Sequence, residues 1–244
     1  MNKKSIDNNL TSISNSWKFN SKVAKKFDIH VNKSIPHYLD IQKYVVSLSE
    51  WFLQENSRIY DLGCSTGETI KLIGELKLNN KIEVIAIDQS QKMLEIAKNK
   101  NKKVNNKKNL NIFYKKKDLT KIISFKKSNL IISILTLPFL NYAQRKSLIV
   151  KIFKSLNKGG AFIFVDKIRA SNSVFEDTFN QVYFDFKLKK RFNSKQVLNK
   201  SKMLRSSMNL KTIDDINIEL RKTGFKKNEI FFKWFNFVGL IAIK

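Results

Sequence analysis

The sequence predicts one α/β domain in which a mainly parallel, seven-stranded sheet is flanked by helices and ends in an antiparallel hairpin. Segments with helical spacing of apolar residues alternate with short apolar runs that are typical of buried strands. A glycine-containing turn follows the first run, and aspartates lie at the ends of three runs. The length of 244 residues suits one buried core. Within residues 1–244 we expect an N-terminal helical cap over 1–55 and an inserted helical lid over 168–211.

The first half of the chain alternates between helix and strand three times. Apolar residues recur every three or four positions in the helical segments, and the strand segments are short, apolar and bounded by turns. In chain order the predicted elements are a helix over Ile41–Leu53, a strand over Arg58–Leu62, a helix over Glu68–Leu78, a strand over Glu83–Ile87, a helix over Lys92–Lys100 and a strand over Asn111–Tyr114.

The same alternation continues to the C-terminus with one interruption. Residues 168–211 are rich in Phe, Lys and Ser and contain helical stretches such as Val174–Phe186. Ligands of parallel sheets bind at the carboxyl ends of the strands, so this segment is expected to lie over them as a lid. The remaining predicted elements are a buried strand over Asn129–Leu137, a helix over Gln144–Leu156 ended by Gly159-Gly160, a strand over Ala161–Val165, a helix over Ile213–Thr223, and a hairpin of Glu229–Phe235 with Val238–Ile243.

The net charge of +27 comes almost entirely from lysine. The lysines are scattered and accompany asparagine, as in residues 98–103 and 105–108. Nucleic-acid readers favour the bidentate fork of arginine, so a compositional bias explains the charge better than a dedicated RNA surface. Direct nucleic-acid binding is possible but not favoured.

Composition also bears on compartment and metals. The first ten residues contain no apolar stretch typical of a signal peptide, and the apolar run Leu130–Leu140 is too short to cross a bilayer. The single cysteine, Cys64, excludes an internal disulfide framework and favours the cytoplasm. With only two histidines, His30 and His37, and no cysteine pair, no metal site is expected. Both histidines are expected to face solvent or a helix packing edge.

The strongest local motif is the turn after the first strand. Gly63 and Gly67 are spaced G-x-x-x-G, and the absence of a Cβ lets the backbone approach a ligand closely. The dinucleotide fingerprint G-x-G-x-x-G, which holds a pyrophosphate, is not present. The spacing therefore favours a ligand without pyrophosphate, and Asp61 offers a carboxylate to a cationic amino acid moiety.

Two further carboxylates end the next strands. Asp88 lies 21 residues after Gly67 and is placed to accept hydrogen bonds from ribose hydroxyls. Asp118 follows the third strand, where it is placed to accept from an adenine amino group. Together with the five parallel strands and terminal hairpin, they predict a Rossmann-like class I methyltransferase fold that binds S-adenosylmethionine. Cys64 is not in a Pro-Cys motif and no Asn-Pro-Pro-Tyr tetrad is present, which disfavours cytosine C5 and exocyclic amine methylation.

From Trp17 nearly to the C-terminus the chain resembles the carboxy-S-adenosyl-L-methionine synthase family. The residues that carry the resemblance are Trp17-Lys18-Phe19, Val23-Ala24, Phe27, Ser34-Ile35-Pro36-His37-Tyr38, Tyr60 to Ser65, Ile85 to Ser90, Thr136 to Leu140, Lys200 to Met208, and Trp234-Phe235-Asn236-Phe237.

The resemblance implies an activity, a partner and a set of site residues. Members transfer a carboxyl group from prephenate to the methyl carbon of S-adenosylmethionine, leave phenylpyruvate, serve wobble-uridine modification in tRNA, and are usually homodimers. The residues implied to line the cofactor are Tyr38, Gly63, Cys64, Ser65, Asp88, Gln89, Asp118 and Leu119; the glycine turn adds Asp61 and Gly67.

Two positions depart from the family pattern. The family's lid arginine, which holds the new carboxylate, aligns with Ser201, and its asparagine after strand four aligns with Ile134. Lysine is a mobile point charge rather than a rigid fork, so Lys202, with Arg205 one turn onward, is only an approximate substitute for that arginine. These departures keep open the alternative of methyl transfer to a small molecule or RNA. The net charge of +27 keeps open a second alternative, a basic RNA-associated protein with a vestigial cofactor pocket.

Overall fold

A computed structural model describes residues 21–77, 81–105, 107–121 and 123–244, with side chains described from Phe27 onward except at Asn105. The Trp17-Lys18-Phe19 landmark lies outside the described residues. Of the cap predicted over 1–55, the residues from Ser21 onward are described, and they contain two consecutive helices.

The described chain alternates between helices and strands as the hydrophobic pattern predicts. Its helices are α1 (Ser21–Ser34), α2 (Tyr38–Glu50), α3 (Glu68–Glu75), α4 (Gln91–Lys100), α5 (Lys102–Asn105), α6 (Tyr142–Ser155), α7 (Ser173–Lys189), α8 (Ser194–Ser207) and α9 (Ile213–Thr223). Its strands are β1 (Ser57–Leu62), β2 (Ile82–Asp88), β3 (Leu110–Lys116), β4 (Ser128–Ile134), β5 (Leu156–Lys167), β6 (Lys227–Trp234) and β7 (Phe237–Ile243).

The strands form one seven-stranded sheet in the order β3-β2-β1-β4-β5-β7-β6. The strands β1 to β5 pair in parallel, whereas β7 pairs antiparallel with both β5 and β6. Strand order reverses beside β1, where β2 and β4 flank it, and such a switch point opens a ligand crevice at the carboxyl ends. The predicted Rossmann-like, mainly parallel sheet with a C-terminal hairpin is confirmed.

The core lies on both faces of this sheet. Central strands are apolar along nearly their whole length because helices cover both faces, as parallel sheets require. One face packs Phe162 and Phe164 against α6 and α9, and the other packs Ile59 and Ile163 against α2 and α3. These packed strands give rigid positions to the residues that follow them.

Some predicted boundaries are wrong for identifiable reasons. Helix α2 begins and ends three residues earlier than predicted, because His37 adopts a left-handed conformation at its N-cap with φ of 54°. Strand β4 ends at Ile134, since Leu135 is left-handed (φ 55°) and the segment Leu137–Phe139 forms a short 3-10 helix.

The predicted break at Gly159-Gly160 is also wrong. Strand β5 runs through both glycines, and a register irregularity opposite Ser128 and Leu130 absorbs the extra residues. Gly159 donates to the carbonyl of Lys244 at 2.9 Å, and the Lys244 amide donates to Gly160 at 3.0 Å. The glycines therefore extend the sheet to the C-terminal strand.

Within the described residues no helix combines the length and apolar character that crossing a membrane requires.

Candidate functional site

A cavity of about 450 Å³ opens at the carboxyl ends of the parallel strands. The strand ends form its floor, the helices α1 and α2 form one wall, and the segment with α7 and α8 forms another. Tyr183 of α7 and Lys200, Leu204 and Ser207 of α8 line it, so these two helices reach the cavity at the strand ends.

The cavity brings together nearly all the predicted cofactor residues. Those in its lining are Tyr38, Asp61, Gly63, Cys64, Ser65, Asp88, Gln89, Asp118 and Leu119. Two predicted residues are outside the lining. Gly67 lies behind the turn at the start of α3, and Lys202 is exposed on α8.

Asp61 is the most unusual of these residues because its carboxyl is buried and one of its oxygens has no hydrogen-bond partner. Its side chain is 2% exposed and its Oδ2 atom has no hydrogen-bond partner. Burial, together with the nearby charge of Asp88, raises the pKa of Asp61 to about 7. A cation in the cavity would stabilise the ionised form of this carboxyl, and the sequence predicts such a cation as the ammonium of an amino acid moiety.

Asp88 shapes the turn as well as facing the cavity. Its Oδ2 accepts from the Ser65 amide at 3.0 Å and its Oδ1 accepts from the Ser90 amide at 2.8 Å. Burial raises the pKa of Asp88 despite these N–H donors. Each oxygen keeps a second lone pair, so ribose hydroxyls remain compatible ligands.

Asp118 is held in a local turn. Its Oδ1 accepts from both the amide and the hydroxyl of Thr120, at 2.9 and 2.6 Å. These donors lower the pKa of the Asp118 carboxyl, which is therefore ionised at neutral pH. An ionised acceptor at this edge fits an exocyclic amine.

The two glycines of the motif serve different purposes. Both are left-handed, with φ of 78° at Gly63 and 74° at Gly67. A Cβ at Gly63 would lie 2.1 Å from Thr136 Oγ1, whereas one at Gly67 would meet Asn101 Nδ2 at 2.7 Å. Gly63 thus allows the cavity floor to close against the end of β4, and Gly67 allows α3 to pack on α4.

Cys64 and Tyr38 contribute shape rather than reactivity. Burial raises the pKa of the Cys64 thiol well above its usual value, so the sulfur is a neutral thiol. Burial likewise raises the pKa of the Tyr38 phenol. Neither group is placed to act as a nucleophile or base at neutral pH.

The lining also contains polar residues that sequence reasoning missed, among them His30 of α1, Lys167 of β5, Tyr183 of α7 and Lys200 of α8. The expectation for His30 is wrong, because it is 7% exposed and lines the cavity. His37 is half exposed, as expected. A signal was available for Lys167, which lies near the end of a predicted strand as the three aspartates do, and for Lys200, which is among the residues that carry the family resemblance.

The N-terminal wall is fastened to the glycine turn by ionic contacts. Lys100 Nζ lies 2.6 Å from Asp28 Oδ2 and 3.1 Å from Glu68 Oε2. The Thr66 hydroxyl donates to Asp28 Oδ1 at 2.5 Å. Helix α1, which contributes His30 and Ser34 to the lining, is thereby fixed to the glycine turn.

No group of three or more histidine, cysteine or acidic side chains in the described ranges is arranged to hold a metal ion.

Comparison with protein families gives two concordant results. A methyltransferase domain family matches residues 59–160, which span β1 to the start of β5. The chain is 36% identical to a carboxy-S-adenosyl-L-methionine synthase from Staphylococcus epidermidis, over 93% of this chain and 97% of that protein. It is 29% identical to a protein of the same name from Cronobacter sakazakii, over 93% of this chain and 91% of that one.

Solved structures agree on the fold. A methyltransferase dependent on S-adenosylmethionine from Aquifex aeolicus has a TM-score of 0.57 at 16% identity, covering 93% of this chain and 99% of its own. Human N-acetylserotonin methyltransferase, solved with S-adenosylmethionine, has a TM-score of 0.57 at 14% identity, covering 92% of this chain and 55% of its own.

Proposed function

The chain belongs to the carboxy-S-adenosyl-L-methionine synthase family, and from this premise we propose that it converts S-adenosylmethionine and prephenate to carboxy-S-adenosylmethionine and phenylpyruvate. It is a transferase that depends on S-adenosylmethionine. The single observation that carries the proposal from the structure is the buried Asp61 carboxyl, which lacks a partner and faces the cavity at the end of β1.

The predicted residues suit each part of S-adenosylmethionine. Asp61 would hold the ammonium and sulfonium end, Asp88 the ribose hydroxyls and Asp118 the adenine amino group. Gly63, Cys64 and Ser65 would contribute mainly backbone groups, and Gln89 and Leu119 flank the nucleoside. When bound, S-adenosylmethionine supplies a methyl group that the adjacent sulfonium activates.

The proposed reaction is balanced with prephenate as the other substrate. Prephenate becomes aromatic by losing its ring carboxylate as carbon dioxide and its ring hydroxyl as hydroxide. The hydroxide takes one proton from the methyl group and leaves as water, while a bond forms between the methyl carbon and carbon dioxide. The chain would position the two substrates and exclude water in a closed pocket.

Of the two departures from the family pattern, one lines the cavity and the other does not. Ile134 lines it at the end of β4 and presents an apolar side chain where the resemblance implies an asparagine. Ser201 and Lys202 lie on α8 outside the lining, although Lys200 and Leu204 of the same helix line it. An anion partner for the new carboxylate, if provided by α8, would therefore come from Lys200.

The family resemblance extends the proposal to context. We propose that the product serves wobble-uridine modification of tRNA, that the protein works in the cytoplasm, as its single cysteine favours, and that it forms a homodimer. An exposed apolar cluster supports the last point: Val174, Phe175 and Phe235 are 68%, 57% and 38% exposed. Light scattering on the purified protein tests the dimer, and a monomer at micromolar concentration would contradict it.

Mass spectrometry tests the reaction. Purified protein is incubated with S-adenosylmethionine and prephenate, and we expect carboxy-S-adenosylmethionine and phenylpyruvate in equal amounts. Matched incubations omit prephenate or replace it with phenylpyruvate. The absence of the carboxylated product at every concentration would contradict the synthase, and appearance of S-adenosylhomocysteine with an acceptor would favour methyl transfer instead.

A further inference from the structure

The carboxylates in the cavity lining come from the first three strands and the segments that follow them, where Lys117 also lines the cavity. They are Asp61 within β1, Glu68 after β1, Asp88 at the end of β2 and Asp118 after β3. Among the described lining residues from β5, α7 and α8, the ionisable groups are Lys167, Tyr183 and Lys200, and none is acidic. The acidic side suits the cationic cofactor, so the opposite side is suited to an anion.

Lys167 is the last residue of β5 and is held against an aromatic ring. Its ammonium lies 4.8 Å from the centroid of Tyr183. Within the described part of the chain no ion pair joins it to a carboxylate. The charge of Glu176 raises the pKa of Lys167, but the two carboxylate oxygens of Glu176 accept hydrogen bonds from other groups. The donors are the Ala170 amide at 2.7 Å and Asn180 Nδ2 at 2.9 Å.

The neighbouring residues fix the direction of Lys167. Asp166 points to the other face of the sheet, where Arg145 donates to it at 2.7 Å and to Glu219 at 2.9 Å. This buried network anchors the end of β5 to α6 and α9. Lys167, one residue later, is thereby presented to the cavity.

Lys200 approaches from α8 and contacts His30 Nε2. Burial and the charges of Lys200 and Lys187 lower the pKa of His30 to about 3, so the imidazole is neutral. A neutral acceptor orients the ammonium without cancelling its charge. Ser34 completes the frame, because its hydroxyl lies 3.0 Å from His30 Nε2 and its carbonyl accepts from Tyr183 at 2.8 Å.

We propose that Lys167 and Lys200 form an anion subsite that binds the carboxylates of the second substrate beside the ring of Tyr183. The proposal rests on the synthase function and deepens it, because it names the residues of this chain that would bind the second substrate. The subsite joins a residue of the sheet to a residue of α8. It assigns the anion to these residues rather than to the exposed Lys202.

Calorimetry on protein loaded with S-adenosylhomocysteine, which has no methyl group to transfer, tests the subsite. Prephenate is titrated into the native chain and into Lys167→Met, Lys200→Met, Lys202→Met and Lys195→Met. Losing one charge-assisted hydrogen bond is expected to weaken prephenate about tenfold or more in the first two variants. Lys195 is exposed at the start of α8, so its variant removes an equal charge as the matched control.

The outcomes separate this inference from the proposed reaction. Affinity for S-adenosylhomocysteine should stay within twofold of the native value in every variant, which shows that the cofactor side is folded. Unchanged prephenate binding in both Lys167→Met and Lys200→Met, an equal loss in Lys195→Met, or no binding to the native protein would overturn the subsite. Prephenate binding that needs both lysines, without any carboxylated product from S-adenosylmethionine, would retain the subsite and contradict the reaction.

Discussion

The hydroxyl of Tyr183 donates a 2.8 Å hydrogen bond to the main-chain carbonyl of Ser34, joining α7 to the end of α1 across the cavity. Tyr183 is 4% exposed, and Lys187 lies over its ring at 4.2 Å. The two segments that cover the strand ends are thus tied to each other by a buried bond.

Replacing Tyr183 with Phe removes only that bond. The buried Ser34 carbonyl then loses its donor, and we expect a loss of about 1–2 kcal/mol in the free energy of unfolding. Urea denaturation measures this loss. Tyr142→Phe is the control, because Tyr142 is 67% exposed, and equal losses in the two variants would contradict a special role for the α1–α7 bond.

The sequence predicted the residues that form the floor of this site but not the wall residues Tyr183 and His30. Asp61, Asp88 and Asp118 follow apolar strands, and the parallel sheet places consecutive strand ends side by side, so their convergence could be foreseen. Tyr183 and His30 belong to helices with mixed apolar and polar faces, and only the packing of α1 against α7 determines which face meets the cavity. Lys202 was misplaced for the same reason, since a shift of two residues on a helix turns the side chain to the opposite face.

The wrongly predicted end of β4 and start of α2 have a second cause. Leu135 and His37 adopt left-handed conformations that their side chains disfavour, and no local sequence pattern predicts these conformations. Leu135 lines the cavity, and His37 precedes Tyr38, which also lines it. Tertiary packing fixes these conformations, and single-sequence patterns do not report packing.

Cofactor affinity should depend on the ionisation of Asp61. Its pKa of about 7 is raised in the unliganded protein, so the carboxylate that attracts a cation is lost as the pH falls below 7. The ratio of dissociation constants for S-adenosylmethionine between Asp61→Asn and the native chain should be large at pH 8 and approach one near pH 5. Calorimetry across this range measures it, with Asp177→Asn, an exposed residue of α7, as control. A ratio that does not change with pH would contradict the assignment.

Removing the same carboxyl should stabilise the empty protein at high pH. Because the folded-state pKa lies above the usual value of 3.8, the folded state binds the proton more tightly than the unfolded state. The native chain therefore loses stability as the pH rises from about 4 to above 7. The melting temperature of Asp61→Asn should be higher than that of the native chain at pH 8 and equal to it at pH 4. A lower melting temperature of Asp61→Asn at pH 8 would refute the raised pKa.

Binding of the second substrate should weaken at alkaline pH. Burial lowers the pKa of Lys167 to about 8, with Arg205 lowering it and Glu176 raising it, while Tyr183 and Lys187 pack on the same side. An anion binds the protonated lysine, so affinity is full below pH 7 and falls as the pH passes 8. Prephenate titrations between pH 6.5 and 9.5 measure this fall, which Lys167→Arg should move beyond the range because arginine stays protonated. A fall of equal size in Lys167→Arg would assign it to another group.

The ionic contacts of Lys100 should control how firmly α1 closes the cavity. Lys100→Met leaves Asp28 and Glu68 near each other without the shared cation, and we expect S-adenosylmethionine to bind several-fold more weakly while the fold persists. Hydrogen exchange in residues 27–34 should increase in the same variant. Lys98→Met, an exposed neighbour on α4, controls for the lost charge, and identical behaviour of the two variants would show that the contacts have no such role.

The glycine turn offers a comparison between two positions with the same backbone conformation. Gly63 and Gly159 both have φ of 78°, but a Cβ at Gly159 would meet nothing within 4 Å, whereas one at Gly63 would lie 2.1 Å from Thr136 Oγ1. Replacing either with Ala incurs the left-handed cost of about 1–2 kcal/mol. Gly63→Ala must in addition displace Thr136 from the end of β4, which adds about 1–3 kcal/mol and distorts the cavity floor.

Urea denaturation and S-adenosylmethionine titration should therefore show a modest loss of stability with intact binding for Gly159→Ala, and a larger loss with impaired binding for Gly63→Ala. Equal effects would mean that the conformation alone, and not the close approach to Thr136, requires glycine in the turn.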